Sequence, residues 1–308
     1  GVLRSYSINR VIGVGIRAVV EGGVGYAYTT RLDWDSVEKA IDGAVSLAKT
    51  MRERGRRVDF AELKPLKASV RTFYRVDPFL VDSAEKVKLV KELNEHSIKT
   101  DGIASAVTRF AAERDRRILV NSEGSEIETE VTGVGVSHLA VARIGATVER
   151  VSDQESFIAG FEAVEKRDWL KFVDEVNSLA IAAAKASTPT PGTYQAVIDN
   201  ELIGLMLHEA FGHASEGDGV ASESSILRGR IGEKIASELV TIVDDGRAEG
   251  GYPVFFDDEG AEKGRTVIVE RGVLKGYLHS RTTAAELGGK PTGNARAQDV
   301  SFDVIVRQ

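Results

Sequence analysis

Five histidines occur in the chain, and two of them flank a glutamate in the stretch His208-Glu209-Ala-Phe-Gly-His213-Ala-Ser-Glu216-Gly-Asp218. Imidazole nitrogens and carboxylate oxygens are donors that hold a divalent ion. A carboxylate fixed beside such a ligand can act as base toward an attacking water. His208 and His213 are therefore candidate metal ligands, and Glu209 is the candidate general base. Glu216 and Asp218 are further candidates, since a catalytic ion of this kind takes a third protein ligand. Their spacing makes a geometric demand. On a regular α-helix, residues four apart lie about 40° apart around the axis, and residues five apart lie about 140° apart. Glu209 and His213 share a face, but His208 and His213 do not. The two imidazoles can meet on one ion only if the helix distorts or ends between them, and Gly212 is a suitable place. The same residues also read as an ordinary polar helix segment, and HExxxH alone does not decide between the two.

Other polar residues carry less. His279 lies between Leu278 and Ser280 in an expected hairpin. It is either a ligand or substrate contact, or a solvent-facing strand residue. Arg281 could hold a peptide carboxylate through its two-pronged guanidinium, or lie on the surface. Asp257-Asp258-Glu259-Gly260 reads as a solvated turn, or as a more distant source of a metal ligand. His96 and His138 have no acidic or histidine cluster beside them in the sequence and receive no role.

The elements that must position these groups follow from periodicity. Ile12, Val14, Ile16 and Ala18 alternate along a first strand. Glu21-Gly22-Gly23 supplies a turn and Val24–Thr30 a returning strand. Asp33 or Asp35 caps a helix whose apolar stripe includes Val37, Ala40, Ala44 and Ala48. Asp82 opens a second helix. Strands are expected at Ile103–Phe110, Arg117–Asn121, Ile127–Ser137 and Leu139–Val151, then a helix at Trp169–Lys185. Ser187–Gly192, with two prolines, makes a stiff connector. Beyond it come a strand at Tyr194–Asp199, the histidine helix, a loop over 217–231, and a hairpin turning at Gly272. The predicted fold class is α+β: antiparallel sheets with packed helices, in two domains, 1–186 and 193–308, with HExxxH on a helix of the second.

Composition bounds the rest. The chain has 308 residues, 42% hydrophobic and 28% charged, with a net charge of -7 and no cysteine. That is the make-up of a soluble globular protein. The acidic balance argues against direct nucleic-acid binding, and no run approaches the roughly 20 apolar residues needed to span a bilayer. Absence of cysteine suits a cytoplasmic protein and excludes thiolate ligands from within the chain. A first residue that is Gly and a strand-like end at Ser301–Gln308 predict a piece of a longer polypeptide.

The motif resembles the signature of the TldD/PmbA family of zinc metallopeptidases, also known as modulators of DNA gyrase. The match is His208-Glu-Ala-Phe-Gly-His213-Ala-Ser-Glu216-Gly-Asp218. Gly13-Val-Gly-Ile-Arg17, Gly25-Tyr-Ala-Tyr-Thr29, Asn121-Ser-Glu-Gly124, Asp257-Asp-Glu-Gly260, Gly272–His279 and Lys290–Asn294 follow that family's pattern in order. The resemblance implies one zinc ion held by His208 and His213, Glu209 as base, and hydrolysis of short or unfolded peptides. It implies a homodimer or a TldD/TldE-like heterodimer, and a third ligand, a cysteine, beyond the segment matching residue 308. It leaves two alternatives: a non-catalytic peptide-binding or partner subunit, and a regulator of a nucleic-acid enzyme.

Overall fold

The structure is a computed structural model and describes residues 2–55, 57–248 and 250–308. It is a mixed fold of antiparallel sheets and packed helices, in two compact units. Neither unit is one continuous stretch. The first comprises residues 1–8, 70–117 and 129–195, and the second 9–69, 118–128 and 196–308.

The first unit is built on long strands. Ile103–Val120 and Glu126–Ile144 are neighbours, and Glu126–Ile144 also pairs antiparallel with Thr147–Phe157, from Val134 opposite Phe157 to Ile144 opposite Thr147. The helix Trp169–Lys185, with bounds as expected, is capped by the Asp168 side chain on Lys171 N–H. It buries Trp169, Phe172, Val173, Val176, Ala180 and Ala184 in a core shared with Val134, Val136, Ala140 and Ala142. The strands run longer than periodicity suggested: residues 111–116, left between the expected strands Ile103–Phe110 and Arg117–Asn121, continue one strand. Arg114 is accommodated by partners distant in sequence: Asp77 at 2.9 Å and the rings of Tyr74 and Phe79. The strand expected over 139–151 is instead two, joined at Gly145, whose φ of 58° suits glycine.

In the second unit, Val14–Val20 and Gly23–Thr29 form the expected hairpin, with φ positive at Glu21 and Gly22 in its two-residue turn. The helix Trp34–Glu53, capped by Asp33, lays Ala40, Ala44 and Ala48 on this hairpin. Gly23 and Gly25 make that approach possible: a Cβ on either would come within 2.1 Å of a helix carbonyl oxygen. A second core gathers Val220, Leu227, Ile242, Ile268, Val269, Leu274, Leu278 and Val306. Its small sheet orders Ile242–Asp245, Arg265–Glu270 and Val273–Leu274, with the expected turn at Gly272. The strand expected at Tyr194–Asp199 does not form. Among the described residues no strand pairs with them, and all six stand exposed.

Candidate metal centre

Asp199 accepts a hydrogen bond from Leu202 N–H at 2.9 Å and starts the helix Asn200–Leu207. The winding then changes twice. His208–Gly212 is a π-turn, closed by His213 N–H donating to His208 O, and His213–Ser215 is a 3₁₀ turn. A π-turn bonds residues five apart, so His213 sits about one turn along from His208. The distortion that the spacing demanded is therefore present, and it begins at His208 rather than at Gly212.

Two faces result. Leu207, Phe211 and Ala214, spaced i, i+4, i+7, pack on the second core. His208, Glu209 and His213 face outward and are exposed. One donor atom from each lies within 4.8 Å of the others, and the imidazole centroids are 4.8 Å apart with the rings crossed at 79°. Among the described residues, no other group of three such side chains gathers in this way. Two imidazoles and a carboxylate suit zinc, which takes nitrogen and oxygen donors at about 2.0–2.2 Å.

The exit from the turn is fixed by backbone pairing. Leu278 N–H donates to Ser215 O and Gly217 N–H donates to Leu278 O, both at 2.8 Å. The buried Ser215 hydroxyl donates to Gly212 O at 2.7 Å. Gly217 must be glycine for this fit, since a Cβ there would lie 2.6 Å from Thr283 Oγ1 and 2.7 Å from Leu278 O.

The two following carboxylates part ways. Glu216 Oε1 is 3.1 Å from His213 Nδ1 and is not in the three-residue donor group. Burial pushes its carboxyl up from the ordinary range, with His213 opposing. Asp218 accepts Val306 N–H at 2.6 Å, and burial raises it as well. Asp218 thus ties down the strand Ile305–Val306.

Neither His279 nor Arg281 belongs to the donor group. His279 is buried rather than solvent-facing, with Nδ1 3.2 Å from Thr283 Oγ1 and its N–H donating to Thr292 Oγ1; burial holds its pKa down. Arg281 makes two 2.7 Å bonds to Glu123 and donates through Nε to Ala61 O. A peptide carboxylate would have to displace Glu123. The turn at Asp257–Glu259 is not solvated. Asp257 accepts N–H bonds from Glu259, Ala261 and Ala295, and Glu259 receives Arg281 N–H and the Arg17 guanidinium. Burial, with Glu259 adding to it, pushes Asp257 up to about 7. His96 meets Asp174 at 2.7 Å, and buried His138 bonds Thr108 and Ser97. What the motif did not reveal is the role of Gly217 and Leu278, which hold the turn through the backbone. The i, i+4, i+7 apolar stripe was the one sequence signal for how the turn is seated.

Comparison with known proteins gives a consistent picture. Profiles of the PmbA/TldA metallopeptidase match in three regions: domain 1 over residues 1–48, the central domain over 77–186 and the C-terminal domain over 191–308. The chain is 31% identical over 299 residues to the metalloprotease MJ0996 of Methanocaldococcus jannaschii, covering 95% of this chain. It spans 65% of that relative's length. Two crystal structures share the fold. A candidate modulator of a DNA gyrase from Thermotoga maritima superposes with a TM-score of 0.78 at 23% identity, covering 94% of this chain and 65% of that one. TldE from Thermococcus kodakarensis gives 0.66 at 22%, covering 95% and 65%.

Proposed function

Because the chain belongs to the PmbA/TldA metallopeptidase family, we propose that it is a zinc-dependent peptidase acting on short or unfolded peptides. The observation that carries this reading is the convergence of His208, Glu209 and His213 through the π-turn. In this reading His208 and His213 hold the ion. Bound there, zinc supplies a Lewis acid and makes water a nucleophile near neutral pH. Glu209, adjacent to His208 in the chain, takes a proton from the attacking water and delivers one to the leaving amine. The site's exposure leaves it open to an extended peptide. The 308 residues contain no cysteine, so the thiolate that the family resemblance implies is not among them.

The test uses the full-length protein. Metal analysis should find about one zinc per subunit, and an unstructured peptide should be cleaved. Glu209→Gln should keep its zinc and lose at least about 100-fold in turnover, the usual size of a general-base contribution. Undiminished hydrolysis by the zinc-loaded variant removes Glu209 from the role.

A second reading is a non-catalytic subunit that binds peptide beside a related partner, in a homodimer or a TldD/TldE-like pair. The fold shared with TldE is consistent with the pairing half of this reading. A protein of dimeric mass that binds peptide without cleaving it would select this reading. We place either form in the cytoplasm, where the family resemblance puts its members. No helix of the described residues is long and apolar enough to cross a membrane.

A further inference from the structure

We infer that Glu216 is a positioning residue: its carboxylate holds the Nδ1 edge of His213 and leaves Nε2 as the nitrogen offered to a metal. The inference rests on the metal-site reading above and deepens it, because it assigns the chemical form in which one ligand is presented. A carboxylate oxygen accepts, so the 3.1 Å contact between Glu216 Oε1 and His213 Nδ1 pairs with an imidazole that carries its proton on Nδ1. The lone pair then lies on Nε2, on the far side of the ring.

The backbone makes Glu216 the anchor and His213 the anchored. His213–Ser215 is a 3₁₀ turn, in which residues three apart eclipse one another, so position 216 comes over position 213. Glu216 itself sits between two residues bonded to Leu278, through Ser215 O on one side and Gly217 N–H on the other, and Leu278 is fully buried. Its side chain is 20% exposed against 51% for His213. Asp218 cannot replace it, because that carboxylate already holds Val306 N–H. An imidazole held in this way has one tautomer and one ring orientation before the ion arrives. Losing such a partner typically weakens a metal by about 10–100-fold.

The experiment uses the full-length protein and the variants Glu216→Gln and Glu216→Ala. In zinc-free protein at about pH 8, where an ordinary imidazole is neutral, ¹⁵N-imidazole spectra should show His213 as the Nδ1–H tautomer. Glu216→Ala should shift it toward Nε2–H. Zinc affinity, read by competition with a chromophoric chelator, should fall about 10–100-fold in Glu216→Ala. It should fall less in Glu216→Gln, whose amide oxygen still accepts the bond but without charge. If the alanine variant does not fold, Glu216→Leu, close in volume and unable to accept a hydrogen bond, carries the test through the same two readouts. An unchanged His213 tautomer together with zinc affinity within about twofold of wild type overturns the inference. Should wild-type protein bind no zinc at all, the metal-site reading fails instead, while the metal-free tautomer still reports on Glu216.

Discussion

Two helices of this protein begin alike and end differently. Trp169–Lys185 and Asn200–Leu207 are each capped by an aspartate whose carboxylate accepts an N–H three residues on, Asp168 from Lys171 and Asp199 from Leu202. Both are rich in apolar side chains. The first buries a full face, from Trp169 to Ala184. The second buries none of its residues, and Leu202, Ile203, Leu205 and Met206 are all exposed. Local signals thus specify that a helix forms, and burial specifies how firmly it is held. The histidine segment meets its core only from Leu207 onward and is fixed at its exit, by the bonds of Ser215 and Gly217 to Leu278. The candidate site is anchored from downstream.

Substitutions can break or sharpen this contrast. The largest effect belongs to Phe172→Ala, which should cost the first unit about 3–5 kcal/mol. Fluorescence of Trp169, whose ring lies 5.6 Å from that of Phe172, reports the denaturant midpoint. Next is Gly217→Ala. Its new Cβ has no room against Thr283 and the Leu278 carbonyl, so we expect a loss of about 1–3 kcal/mol. Faster hydrogen exchange at the Leu278 amide would show the exit bonds opening, and unchanged exchange would show the downstream anchor to be unimportant.

A pH effect comes third. Glu162 lies partly buried at the start of the helix Phe161–Lys166. Burial raises its pKa, but N–H groups of Arg75, Val76 and Gly160 outweigh this and hold it at about 2, below its ordinary 4.5. A depressed folded pKa means stabilisation that is fully present above about 4.5 and lost as pH falls toward 2. With solvent screening allowed for, the effect is on the order of 1–2 kcal/mol. Urea titrations from pH 6 to 2 should show that slope in wild type and its loss in Glu162→Gln. The smallest effect should be Leu205→Ala in this 308-residue chain, within about 0.5 kcal/mol by the same assay. A loss of several kcal/mol there would end the contrast between the helices.

Much of the fold was legible where the determinants are local. The bounds of Trp169–Lys185, the existence of the first hairpin with its turn after Val20, and the turn at Gly272 follow from caps, alternation and glycine. The need for a distorted helix between His208 and His213 was also legible, because it is a matter of angles. What escaped depends on partners far away in sequence. Arg114 sits within a strand because Asp77, Tyr74 and Phe79 receive it. Asp257 and Glu259 are buried because Ala261, Ala295, Arg281 and Arg17 supply donors. Tyr194–Asp199 has a strand's pattern but, among the described residues, nothing to pair with. Along the chain, no signal shows that residues 9–69 and 118–128 group with 196–308. Glu216 and Asp218 look interchangeable as letters, and only the bonds to His213 and Val306 N–H separate them.

The π-turn at His208–Gly212 also bears on how such proteins diverge. One residue inserted into a helix is absorbed as a single wide turn, and everything beyond it keeps its facing. A chain with two histidines four apart on an α-helix and a chain with two five apart across a π-turn can therefore offer the same pair of imidazoles to the same point in space. Letter counting sets such sequences apart, whereas helical winding makes them equivalent. Insertions and deletions in a ligand motif are then changes a protein can survive, provided the turn that absorbs them faces solvent as this one does.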